Sequence, residues 1–457
     1  MPNRRQWKLV CTLLMRLRSI RRRRSALLAV GAVLVLMLAA AVFVFGRSRP
    51  SAATAVPEPP RVELAPLAAA ASYRDPVMVR GKAVGATTVT VGDRSVRPGA
   101  DGSFELALPH APLDTVLVAT NKVGEKATAP VKVDVVLPRI RAVHVTAYAW
   151  AYDPMREAVL DLAREGRIDT VELDIKDEDG IVGYDSQVPL ARESGAASSI
   201  YDAGAALKQL HDMGLKVVGR IVAFRDPTLA SWAWHNGHPD WVIQNPGGQP
   251  YSSGYGAIAF TNFASPEIRS YNRDLAVEAA RLGFDGVMYD YIRRPDGSLS
   301  SMQFPGLTES PSESIANFLR DIREPIRAAG GSLGAAVFGI AATRPDEIAQ
   351  DIPAMARYVD YLAPMLYPSH WHAGEYDVAN PNAQPYDIVF RSLQDFRART
   401  EGTAAQIIPW LQDFSLGVAY GDSEVRAQID ATLAAGYNGY FMWNPAVSYH
   451  AGGLPTN

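Results

Sequence analysis

Residues 265–295 read SPEIRSYNRDLAVEAARLGFDGVMYDYIRRP. The stretch holds one complete helix-then-strand unit. Ser265 is placed to cap a helix, Pro266 suits its first position, and Gly283 suits its end. Only Phe284 and Asp285 then precede a short apolar run, Gly286–Tyr291, of the kind expected for a strand covered on both faces. That strand ends on Asp290 between two tyrosines, with Arg293 and Arg294 just beyond.

The same alternation recurs on both sides. Candidate strands are 142–147, 170–175, 216–223, 286–291, 333–338, 361–366, 407–411 and 439–443. Segments of helical pattern fall between them, among them Asp422 to Gly436, read with an aspartate cap. Connections from helix to strand are short, such as Gly214-Leu215. Connections after strands are long: 177–199, 225–264, 293–311 and 367–385. The predicted fold class is therefore α/β, an eight-stranded β/α (TIM) barrel over residues 139–457. Its elaborated face lies at the strand C-termini, where such barrels place their chemistry. Only 14 residues follow Trp443, too few for a full eighth helix. That end of the barrel is expected to be covered by an upstream module or left open.

Upstream the pattern changes. Residues 73–138 contain short β-rich runs (77–79, 87–91, 104–108, 115–119, 131–135) split by turn signals, which predicts a small β-sandwich. Residues 46–72 are rich in Pro, Ala and Ser and read as a semi-rigid linker. Residues 26–45 are uncharged and apolar, long enough to cross a bilayer, and follow a basic segment at 1–25 that ends in Arg21, Arg22, Arg23 and Arg24. This predicts a single transmembrane helix, with the N-terminus cytoplasmic and the rest of the chain outside the cell membrane. The competing reading, a cleaved signal peptide ending near Ala53-Thr54-Ala55, fits less well. Its apolar core is too long, and Arg47 and Arg49 intervene.

The 457 residues have a formal net charge of -3, but residues 1–50 hold 11 Lys/Arg and no acid. The remainder has 34 basic and 48 acidic residues, a net of -14. An acidic body argues against nucleic acid as partner. The single cysteine, Cys11, rules out internal disulfides and cysteine-rich metal sites.

The ends of the strands carry the candidate chemistry. On strand two, alternation puts Glu172, Asp174 and Lys176 on one face, where the last two are either a structural pair or part of a site. Arg220 interrupts an apolar strand three. Asp290, flanked by Tyr289 and Tyr291 and followed by Arg293, suits a nucleophile or a stabiliser of positive charge. Strands six to eight end near Tyr367, Trp410 with Gln412 and Asp413, and Trp443 with Asn444. Aromatic rings there would offer a platform for the apolar face of a sugar. Asp413 is the predicted partner of Asp290, with Asp174 in reserve. Neither Asp177-Glu178-Asp179-Gly180 nor the histidines of 235–238 and 370–372 make a metal signature, so no metal or cofactor is expected.

Segment 141–445 resembles the bacterial putative glycosyl hydrolase domain family. The resemblance is carried by Val171-Glu172-Leu173-Asp174-Ile175-Lys176, Tyr184-Asp185-Ser186, His238-Pro239-Asp240-Trp241, the run Gly283 to Arg293, Pro364-Met365-Leu366-Tyr367-Pro368 and Pro409-Trp410-Leu411-Gln412-Asp413-Phe414. It implies a sugar-active barrel. The run Gly92 to Val96 followed by Asp101-Gly102-Ser103-Phe104 resembles bacterial immunoglobulin-like accessory modules. The expectation is a membrane-anchored glycoside hydrolase acting on an envelope or extracellular polysaccharide through paired carboxylates. A non-catalytic glycan-binding or envelope-assembly protein on the same scaffold is the alternative.

Overall fold

The computed structural model describes residues 58–111 and 115–456, so the expected anchor at 26–45 and the basic segment before it lie outside the described residues. Among the described residues, no helix is long and apolar enough to cross a membrane.

Eight parallel strands follow chain order around a closed barrel. They are Arg141–Val145 (strand one), Thr170–Lys176 (two), Lys216–Val222 (three), Gly286–Asp290 (four), Ser332–Phe338 (five), Tyr361–Met365 (six), Gln406–Ile407 with Trp410–Gln412 (seven) and Tyr440–Trp443 (eight). Pro409 lacks the N–H a ladder needs, and strand seven is broken there. Strand eight pairs with strand one, Tyr440 opposite Arg141, which closes the ring.

Alternation sorts the side chains into two cores. Inward residues such as Ala142, Val218, Met288, Ala336, Tyr361, Trp410 and Phe441 pack on one another inside the barrel. Outward residues such as Leu173, Ile221, Val287 and Tyr289 pack with Leu207, Leu275 and Phe318 of the surrounding helices. Gly334 makes room for the Tyr361 ring, because a Cβ there would stand 2.2 Å from its Cζ.

The helix Pro266–Leu282 is built as read: Ser265 Oγ accepts from Ile268 N, and Gly283 ends it at φ 127°. The helix Asp422–Ala434 differs. Gly421 precedes it, and Asp422 lies inside it, where its carboxylate accepts from Gly453 N at 3.0 Å.

Upstream, two antiparallel sheets share one core. One holds Arg61–Leu64, Val77–Val84 and Ser103–Leu108; the other holds Thr88–Val91, Arg94–Val96, Thr115–Thr120 and Lys126–Val131. Val79, Ala83, Phe104 and Leu106 of the first face Val89, Val91, Leu117 and Ala119 of the second. The linker read over 46–72 therefore ends early, because Val62 and Leu64 alternate with polar residues and pack against this core. The last strand is Lys126–Val131 and not 131–135; Val135 makes only an isolated bridge to Ala70.

This module docks at the N-terminal end of the barrel. Tyr73 Oη donates to Asp360 at 2.6 Å, and Arg74 donates to the carbonyls of Gly283 (3.3 Å) and Phe284 (3.1 Å). Among the described residues, a short turn, Ala451–Gly453, follows strand eight. Leu454 is buried, and its carbonyl accepts from Arg167 at 2.7 Å, while that of Pro455 accepts from Arg141 at 3.2 Å.

Candidate active site

The opposite end of the barrel, at the strand C-termini, holds a cavity of about 660 Å³. Its floor is Arg220 with the carboxylates around it. Asp290, the last residue of strand four, points inward and accepts from Arg220 Nη2 at 2.7 Å and Nε at 3.0 Å. Its other oxygen accepts from Tyr291 N at 2.6 Å. Tyr291 has φ 46°, a left-handed conformation costly for a tyrosine, which turns the chain out of the strand and puts its ring in the cavity wall.

Arg220 also donates to Asp174 Oδ1 at 2.9 Å and, through Nη2, to Glu178. The charges set one another's proton affinity. Burial pushes the Glu178 carboxyl up, but the Arg220 guanidinium outweighs it and holds the group at about 2. Burial dominates at Asp174 and pushes its carboxyl up to about 7, although Arg220 and His144 oppose this.

One wall is aromatic. Tyr367 stacks on Trp443, with centroids 5.1 Å apart, and Phe414 meets Trp443 edge-on at 5.0 Å. Trp410 lies beneath, 5.8 Å from the Arg220 guanidinium. The lining also includes Arg344, which donates to Glu375 at 2.8 Å, with Glu347, Trp371, His372 and His370, whose ring meets Tyr367 edge-on at 5.4 Å.

The cavity thus gathers Asp290, Arg220, Tyr291, Tyr367, Trp410 and Trp443 from the residues read in the sequence. Asp174 lies behind Arg220 and does not line it. The other candidates are elsewhere, each for a local reason. In strand two, Asp174 stands opposite Arg220 but Lys176 opposite Ile221, so Ile175 is an extra, bulged residue. Beyond it Lys176 faces the helices, where Nζ bonds Asp226 at 2.6 Å. Tyr289 faces outward, and its hydroxyl donates to Asn272 O. Arg293 is buried against Phe338 and Tyr291 and donates to Tyr255 Oη at 3.1 Å, supporting the wall from behind.

Asp413 is the principal correction. It lies past the end of strand seven, fully buried, and its carboxylate accepts from His450 N at 2.9 Å and from the His450 ring. Asn444 Nδ2 donates to Ser448 O at 2.6 Å and Gln412 Nε2 to Phe414 O at 2.8 Å, so both brace turns. Asp413 therefore does not line the cavity that holds Asp290. The carboxylate that does meet Asp290 across Arg220 is Glu178, hidden in the sequence within an acidic run. His144 and Glu172, inward on strands one and two, lie buried beneath this floor. Among the described residues, His144, Glu172 and Asp174 bring three possible metal-ligand atoms within 4.8 Å of one another. However, His144 Nδ1 and Glu172 bond each other, and Arg220 holds Asp174. The three form a charge network.

Comparisons bear on this geometry. A family model described as "Putative glycosyl hydrolase domain" matches residues 142–449. A hypothetical protein from Ruminiclostridium thermocellum is 32% identical, over 42% of this chain and 96% of its own, with a TM-score of 0.38. The PgaB (BpsB) glycoside hydrolase domain from Bordetella bronchiseptica is 15% identical, over 68% of this chain and 95% of its own, with a TM-score of 0.50, a likeness of fold. No curated protein matches the chain.

Proposed function

The chain belongs to the putative glycosyl hydrolase domain family, and from that premise we propose that it is a membrane-anchored, extracytoplasmic glycosidase. Its substrate is a cell-envelope or extracellular polysaccharide, laid along Tyr367 and Trp443. The sandwich is an immunoglobulin-like accessory module that spaces the barrel from the anchor.

The observation that carries the reading is the convergence of Asp290 and Glu178 on one guanidinium nitrogen at the floor of an aromatic-walled cavity. A pair of nearby carboxylates is what glycoside hydrolysis needs. Asp290, fixed by Arg220 and Tyr291 N, faces the positive charge that develops at the anomeric carbon. Glu178 replaces Asp413 as the second carboxylate and exchanges the proton with the leaving oxygen. With its carboxyl held at about 2 by Arg220, it takes that role only after a bound sugar has displaced it from the guanidinium. Asp174, the reserve carboxylate of the sequence reading, stays behind Arg220 and holds it by a 2.9 Å bond.

The test is to screen the full chain on bacterial exopolysaccharides and wall glycans, with Asp290→Asn as control. Loss of a charged group at the reacting centre should cost roughly 10²–10⁴-fold in turnover. A variant that cleaves at the parental rate removes Asp290 from the mechanism. Binding without cleavage by the parent favours the non-catalytic glycan-binding alternative.

A further inference from the structure

Beneath the cavity, the barrel holds more negative charge than one guanidinium balances. Glu172, Asp174, Asp290 and Glu178 converge on Arg220 and His144, and all but Glu178 are buried. Buried charges are costly unless paired. Among these described residues, His144 is the one group besides Arg220 that can carry positive charge. It stands opposite Glu172 in register. Its Nδ1 meets Glu172, and its Nε2 lies 3.8 Å from Asp174 Oδ2. Asp174 Oδ1 takes its bond from Arg220, while Oδ2 and Glu172 Oε1 have no hydrogen-bond partner. Sign therefore alternates along the chain Glu172, His144, Asp174, Arg220, Asp290, when and only when His144 is protonated.

We propose that His144 is a positioning residue of this cavity: as an imidazolium it ties Glu172 to Asp174, and so leaves Asp174 ionised to aim Arg220 at Asp290 and Glu178. Electrostatics point the same way. Burial works against a charge on His144, but Glu172 and Asp174 outweigh it and hold the ring above its usual range. Burial raises Asp174 as well, so ring and carboxylate compete for one proton. On the ring, that proton serves both carboxylates. Of the other groups facing the pair, Arg220 opposes the ring's charge, and the phenols of Tyr361, Tyr367 and Tyr449 near Glu172 are all raised and neutral. Trp410 packs on the imidazole at 6.0 Å. When the proton leaves, Glu172 and Asp174 have no cation between them. The guanidinium is then drawn toward them and away from the cavity.

Only the kinetic arm of the test rests on the glycosidase reading. In the full chain labelled with ¹⁵N-histidine, the His144 signal is identified by its loss in His144→Gln. More than half imidazolium at pH 7 is expected; less than half overturns the proposal, as does zinc binding that displaces the ring proton. In the kinetic arm, Glu172→Gln removes one anion from the ring. The alkaline limb of kcat/KM should then move to lower pH by roughly one unit or more. A limb that stays in place while the rate falls marks a merely structural role and overturns the proposal. Should Glu172→Gln not fold, or no glycan be cleaved, the histidine titration alone decides. In the second case the glycosidase reading fails independently.

Discussion

Lys176→Met isolates the effect of the bulge in strand two. The ammonium is buried and spends all three donors, on Asp226 Oδ2 (2.6 Å), Ala223 O (3.2 Å) and Asn272 Oδ1 (3.2 Å). Asp226 is equally buried, and its other oxygen caps the helix Pro227–His235 by accepting from Leu229 N at 2.9 Å. Methionine keeps most of the length and apolar stem but leaves Asp226 without its cation. Breaking a buried pair from one side costs about 3–5 kcal/mol. At roughly 2 °C per kcal/mol for a domain of this size, thermal unfolding should fall by roughly 6–10 °C. Adding Asp226→Leu removes the orphaned charge and should recover most of that loss, short of about 1 kcal/mol for the helix cap. The assay is calorimetric unfolding of the full chain, with KM measured on the cleaved glycan. An unchanged transition with a raised KM would put Lys176 in the cavity and refute the bulge argument.

Three further outcomes are expected. Glu178 is held at about 2, below its unfolded value, so its contact with Arg220 contributes stability above about pH 4.3 that is lost as pH falls toward 2. Glu178→Gln should flatten the acid limb of stability, and an unaltered limb would refute the pairing. Trp443→Ala, made on Asp290→Asn, should weaken glycan binding roughly tenfold, about 1.4 kcal/mol, by titration calorimetry; less than a twofold change takes the ring off the sugar face. Asp413→Asn should keep kcat within roughly threefold while costing about 1–3 kcal/mol through lost bonds to His450; a hundredfold loss would return Asp413 to the catalytic pair.

Strands of the barrel were legible because short apolar runs between capped helices leave little choice of fold. Arg220, Asp290, Trp410 and Trp443 were legible for a related reason, since unbroken alternation or a strand-end position assigns the face. The same rule excludes Tyr289 from the wall, because it neighbours inward-facing Asp290. Lys176 was not legible: nothing in Leu173-Asp174-Ile175-Lys176 announces an extra residue, and one bulge reverses the face. Gln412, Asp413 and Asn444 sit where strands give way to turns, beyond the reach of a period of two. Glu178 was masked by Asp177 and Asp179, and His144 by its valine neighbours.

The ring closes between the first strand and the last, and the tail after strand eight is fastened by Arg141 and Arg167. A growing chain therefore carries strand one with a bare edge until strand eight, Tyr440–Trp443, has been made. Such long-range closure is slow, and an open edge invites pairing with other chains. The charged cluster beneath the cavity reaches that seam, since His144 belongs to strand one. Chains cut before strand eight would thus lose closure of the barrel itself, and with it the strand that carries Trp443 into the cavity wall.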